Sequence, residues 1–305
     1  MSDIILHHYP ESPVSEKVRV VLGMKGLDWR SVKIPRLPPK PDLMPLTGGY
    51  RLTPVMQIDA DIYCDSHAII AEIERRYPEP TLYPGGAQGL PWALAHWTDG
   101  RLFQNVIEVV FADSRETMPE EFWKDRGGLY FGADFNGDDI EAALNQNLTE
   151  IRAQFGYMDQ RVSGDRNFML GATPGLPDAL CYYLIWFLRG RYSAGSEFLK
   201  QFPALHAWAQ RVAAIGHGTW EDLSSQAALD IAAAADPSLG EEADSGDPLG
   251  LMPGDQVGVI AGVGGEVVTG SVISLSRDHI SIRRNDLRVG AVSLTFPRIG
   301  YPVRR

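Results

Sequence analysis

The first 84 residues set apolar runs in an order that few architectures accept. Ile4-Ile5-Leu6 reads as a buried strand. Val14, Val18, Val21 and Leu22 follow at helical spacing, with Gly26 placed to stop the helix. Trp29–Ile34 is rich in strand formers. Strand, helix, strand is a βαβ unit, normally a right-handed parallel crossover. A loop with Pro35, Pro38, Pro39, Pro41 and Pro45 comes next. Val55–Asp59 and Asp61–Cys64 flank Ala60 and read as a hairpin. Ser66–Tyr77 reads as a helix with Ile69, Ile70 and Ile73 inward. The order β-α-β, then β-β-α, predicts an α/β sandwich over residues 1–84.

From residue 89 to 235 the pattern turns helical. Ile140, Leu144, Leu148, Ile151, Phe155, Met158 and Val162 are spaced by threes and fours, so all seven share one helix face. Further helices are expected at Pro91–Asp113, Leu176–Leu188, Glu197–Ile215 and Ser224–Ala235. Residues 236–247 hold five acidic side chains and no basic one, which reads as a solvated linker. After that the period becomes two: Ile280 and Ile282 alternate with Ser281 and Arg283, and Val292, Leu294 and Phe296 with Ser293 and Thr295. Short strands with glycine-rich turns over residues 248–305 predict a small all-β barrel of the SH3-like kind.

Composition narrows the function. The formal net charge of −11 should repel phosphate backbones, so no nucleic acid partner is expected. Two cysteines, Cys64 and Cys181, allow no disulfide framework and no metal-binding cluster. With no signal peptide in view, they point to a cytoplasmic protein. No run reaches the roughly 18 apolar residues of a membrane span, so no membrane partner is expected either. His7 and His8 are adjacent on a strand and point to opposite faces, so no metal site is expected there. Gly262-Val263-Gly264-Gly265 lacks the third glycine and following helix of a dinucleotide loop.

Three segments carry polar groups where chemistry is available. Ser12 sits just before the first helix, in Ser12-Pro13-Val14-Ser15. It can cap that helix, or its hydroxyl can donate to a thiolate stabilised by the helix N-terminus. Tyr9, at the end of the first strand, can simply pack. Thr53-Pro54 opens a strand, where a cis bond would expose the Thr53 backbone to a peptide-like ligand, and a trans bond would be ordinary. Asp65-Ser66 starts another helix and can cap it, or hold a ligand carboxylate while Asp65 takes an ammonium group.

In order and spacing these segments resemble the glutathione transferase superfamily, of the serine type, over roughly residues 3–235. The resemblance implies a thioredoxin-like domain, an all-helical domain and a C-terminal barrel that most of the family lacks. It implies Ser12 as the catalytic hydroxyl, with Tyr9 as the rival. It also implies glutathione held by Ser12, Thr53, Pro54, Asp65 and Ser66, with Arg51 or Lys40 on the glycyl carboxylate. Gly175 and Asp178 match the family's helical capping segment, although glycine stands where a hydroxyl residue is usual. Glutathione enters as a co-substrate with no resident cofactor. The other expected partners are a small hydrophobic electrophile held between the two domains and a second copy of the chain, as a homodimer. The implied activity is transfer of glutathione to that electrophile. Glutathione-dependent isomerisation or dehalogenation shares the same site, and a non-catalytic dimerising scaffold is the alternative of another class.

The barrel carries seven arginines against four acidic residues, hence +3, which leaves −14 on the rest. That balance favours docking of the basic module on its own acidic body or on a dimer partner over RNA binding. A chain ending at Asp247 is then expected to keep glutathione binding and to be less stable or less dimeric.

Overall fold

All five residues of the first strand, β1 (Ile4–His8), are buried, which is why its sequence is a run and not an alternation. The structure is a computed structural model in which residues 3–86, 88–238, 240–261 and 266–305 are described. The Gly262–Gly265 motif lies outside the described residues. The chain divides into two units: Met1–Val18, Leu27–Arg76 and Thr219–Arg305 form one, Arg19–Gly26 and Tyr77–Gly218 the other.

In the first unit, α1 (Pro13–Met24) crosses from β1 to β2 (Asp28–Lys33), which pairs parallel to it. After a short α2 (Met44–Thr47), β3 (Val55–Ile58) runs antiparallel to β1, and β4 (Asp61–Cys64) antiparallel to β3. α3 (Ser66–Arg76) follows. These elements match the sequence expectation, with ends moved by a residue or two.

The second unit is helical: α4 (Gly89–Trp97), α5 (Phe103–Ser114), α6 (Glu120–Phe131), α7 (Gly137–Ala142), α8 (Leu144–Arg161), α9 (Leu176–Arg191), α10 (Gly195–Leu199) and α11 (Pro203–Ile215). Three expected helices are each broken. Gly100, at φ −100° and ψ −111°, separates α4 from α5 through a wide turn at Thr98–Leu102. The seven-residue stripe divides at Ala143 between α7 and α8. Pro203 opens α11, where its missing N–H costs nothing, and so ends the run from Glu197.

Asp178 anchors this unit. Its buried carboxylate accepts from the backbone N–H of Met169 (2.8 Å) and Gly175 (2.9 Å) and from Trp208 Nε1 (2.7 Å). Burial pushes the carboxyl up to about 6, while these donors pull it back. A Cβ on Gly175 would meet the Leu82 carbonyl oxygen at 2.9 Å and Pro84 at 2.8 Å, so close approach excludes a hydroxyl residue there. Asp178→Ala strands three buried donors at about 1–3 kcal/mol each. Urea unfolding should show a loss of about 3–5 kcal/mol for this variant. A loss below about 1 kcal/mol would contradict the anchoring role.

The C-terminal third departs from expectation. β5 (Thr219–Asp222) pairs parallel to β2, and α12 (Ser225–Ala233) lays Ala228, Leu229 and Ala232 into the first unit's core. Gln57 Nε2 donates to the Ala228 carbonyl at 2.8 Å. The helical unit therefore ends at Gly218, not at residue 235. The acidic stretch 236–247 is not a loose linker. Ser238 donates its N–H and its hydroxyl to Asp61, Glu242 bonds across to Leu275 N, and the almost fully buried Asp247 side chain pairs with Arg298 at 2.9 Å.

The last strands are β6 (Gln256–Ile260), β7 (Val267–Leu275), β8 (His279–Asp286), β9 (Gly290–Pro297) and β10 (Val303–Arg304). They run in the order β10-β6-β7-β8-β9, and β9 then pairs parallel to β4, Ile62 opposite Leu294. The expected closed SH3-like barrel is not what forms. The sheet stays open and continues into the first domain's sheet, giving ten strands among the described residues. Ser293 and Thr295, which alternation assigns to solvent, are buried instead. Ser293 Oγ donates to Asp61 at 2.6 Å and Thr295 Oγ1 meets Ser281 Oγ at 2.8 Å. Arg284 donates to the Pro45 carbonyl, and Arg288 pairs with Asp42 at 3.0 Å. Gly48, at φ 65°, has Arg284 Nε 2.8 Å from where a Cβ would sit. The two modules share one hydrophobic cluster.

Candidate functional site

His7 pairs with Val55 and Val55 with Cys64, so the end of β1, the start of β3 and the end of β4 lie at one end of the sheet. Tyr9–Ser12, Leu52–Pro54 and Asp65–Ser66 therefore emerge together. α1 and α3 both begin there and bring two sets of unpaired N–H groups with partial positive charge.

Ser12 is buried and is the N-cap of α1: its Oγ accepts from Ser15 N at 3.2 Å. That bond uses a lone pair and leaves the hydroxyl hydrogen to donate. Capping and chemistry are thus compatible roles. Ser15 Oγ, also buried, has no hydrogen-bond partner among the described residues. Tyr9 is half-buried, packs on the core and has the Arg36 guanidinium 5.9 Å from its ring centre.

The Thr53–Pro54 bond is cis. Lys40 Nζ donates to Thr53 Oγ1 (3.0 Å) and to the Arg51 carbonyl (2.9 Å), so this buried ammonium props the loop from within. The Arg51 guanidinium lies 3.4 Å from Glu266 of the C-terminal module.

Asp65 adopts φ 81°, a left-handed conformation that a short polar side chain tolerates. Oδ1 accepts from His67 N at 2.8 Å, and Oδ2 accepts from the Tyr301 hydroxyl at 2.8 Å. Ser66 is buried at the first position of α3. Tyr50 brings its hydroxyl within 3.5 Å of that of Tyr301. Sequence reasoning missed Tyr50, Glu266 and Tyr301, because two of them arrive from a module assigned to a separate domain. Phe103 and Trp123 sit in the second unit's aromatic cluster with Phe111 and Tyr130.

Both thiols lie off this site's chemistry: Cys64 and Cys181 are buried, and burial pushes both well above the ordinary thiol range. Among the described residues no group of three or more His, Cys, Asp or Glu is placed to hold a metal ion, and no helix is long and apolar enough to cross a membrane.

The glutathione S-transferase N-terminal-domain family model matches residues 6–81, and the C-terminal-domain model matches residues 141–211. A maleylpyruvate isomerase from Ralstonia sp is 28% identical over 212 residues, 62% of this chain and 97% of that protein. A glutathione transferase family member from Pseudomonas fluorescens, solved with two glutathione bound, shares the fold at 16% identity over 70% of this chain and 89% of its own, with a TM-score of 0.52. A GST-like protein from Pseudomonas syringae is 35% identical, covers 100% of both chains and superposes with a TM-score of 0.79, C-terminal sheet included. That end-to-end likeness, together with the two domains the family models match, makes this chain a member of the glutathione transferase superfamily.

Proposed function

We propose that the protein binds glutathione at this end of the sheet and activates its thiol for attack on a small hydrophobic electrophile. The observation that carries the reading is the convergence of Ser12, Thr53-Pro54 and Asp65-Ser66 beside two helix N-termini. Ser12 donates to the sulfur, and the α1 N-terminus stabilises its negative charge. The Thr53 backbone pairs with the peptide. Asp65 takes the γ-glutamyl ammonium, Ser66 and the α3 N-terminus take the neighbouring carboxylate, and Arg51 takes the glycyl carboxylate. A free thiol titrates near 8.5, and lowering that by about two units needs roughly 2.7 kcal/mol. Glutathione is consumed as a co-substrate, and the active form is a cytoplasmic homodimer.

The likeness to the maleylpyruvate isomerase favours a second reading of the same site. There the thiolate adds to an activated double bond, the resulting single bond rotates, and the thiolate leaves again. Conjugation consumes one thiol per substrate, whereas isomerisation returns it. Thiol titration during turnover, with an aromatic halide and with maleylpyruvate, separates the two. One thiol lost per halide consumed is the expected result. A constant thiol titre with maleylpyruvate turning over selects the isomerase. No glutathione-dependent turnover of either substrate contradicts both and leaves a non-catalytic scaffold.

A further inference from the structure

Asp65 is not held by its own domain alone. Its Oδ1 is fixed by His67 N at 2.8 Å, but Oδ2 is fixed by Tyr301, 236 residues away on the C-terminal module. We propose that Tyr301 is a positioning residue for ligand recognition, holding the Asp65 carboxylate in the orientation that binds the γ-glutamyl amine of glutathione. The inference rests on the reading above that Asp65 takes that amine.

Tyr301 is built to hold one place. Its ring packs against Phe296 at 5.5 Å and Tyr50 at 6.4 Å between centroids. The next residue, Pro302, accepts from Ile260 N at 2.8 Å, which ties the segment to β6. Burial pushes the Tyr301 hydroxyl well above its ordinary value, so it remains a donor throughout the neutral range. A carboxylate has about four lone-pair sites. His67 N, the Ser66 hydroxyl (3.5 Å from Oδ1) and Tyr301 occupy three, which leaves one for an ammonium group. The hydroxyl therefore orients the carboxylate without filling it. The C-terminal sheet thus completes the ligand site as well as the fold.

Tyr301→Phe keeps the ring and removes only the donor. Calorimetry on the full-length protein with glutathione, and with glutaryl-cysteinyl-glycine, which lacks the amine, tests the assignment. The variant should melt within a few degrees of the parent. Its affinity for glutathione should fall about tenfold, the size expected for losing a hydrogen bond to a charged group. Its affinity for the amine-free analogue should stay unchanged. Equal losses for both ligands would show a merely structural role and overturn the inference. Unchanged or tighter glutathione binding would overturn it too, the latter by showing that Tyr301 competes with the ligand. Parent protein that binds no glutathione overturns the functional reading and this inference with it.

Discussion

A chain ending at Asp247 should fail to hold the first unit folded. Leu43, Leu46, Tyr50 and Ile62 lie in one buried cluster with Val292, Leu294 and Phe296. Removing residues 248–305 returns those four side chains to water at about 1.5–3 kcal/mol each, roughly 6–12 kcal/mol together. Whole domains are stable by only about 5–15 kcal/mol. The deletion also bares the edge of β4, now paired with β9, and takes the Ser293 donor from the buried Asp61 carboxylate. Near-ultraviolet circular dichroism and a thermal scan should show no cooperative transition for this unit. The sequence alone led to a milder expectation, in which glutathione binding survives the truncation. A soluble truncated chain with parental glutathione affinity would restore that expectation and refute the shared core.

Ser12→Ala should lower turnover about 10²–10³-fold, the effect of losing one donor aimed at developing negative charge. Glutathione affinity should change far less, because Thr53, Asp65 and Ser66 hold the peptide. The same substitution removes the α1 cap, at about 1 kcal/mol of stability. A melting curve must therefore accompany the kinetics, and turnover should collapse at temperatures where the variant is fully folded. If Tyr9→Phe abolishes activity while Ser12→Ala spares it, the tyrosine is the donor and the assignment is wrong.

Local chemistry made much of the first domain legible. Ile4-Ile5-Leu6 is a continuous apolar run because β1 is covered on both faces, and Ser12 and Ser66 announce helix starts by residue type. Pro203 was equally plain as a helix start, yet the apolar spacing around it conceals the break. The Gly175 departure from the family pattern becomes intelligible only from the close approach of Leu82 and Pro84. Alternation in Val292–Phe296 reports a strand but not its neighbour. A strand's partner is set by packing, and Asp61 of β4 lies 232 residues upstream of Ser293, its partner in β9. The same distance hid Tyr301 and Glu266, whose residue types are ordinary for a surface module. The acidic stretch 236–247 misled for a related reason: carboxylates read as solvated unless their partners, here Arg298 for Asp247, are already in view.

The state of the thiol in bound glutathione is the most direct measure of the central claim. Thiolate absorbance in the ultraviolet, followed against pH in the presence of excess protein, reports it. Bound glutathione is expected to titrate about two units below the free value near 8.5. Ser12→Ala should return most of that shift. Glutathione that binds with an unshifted thiol, or a shift that survives loss of the Ser12 hydroxyl, would contradict that claim.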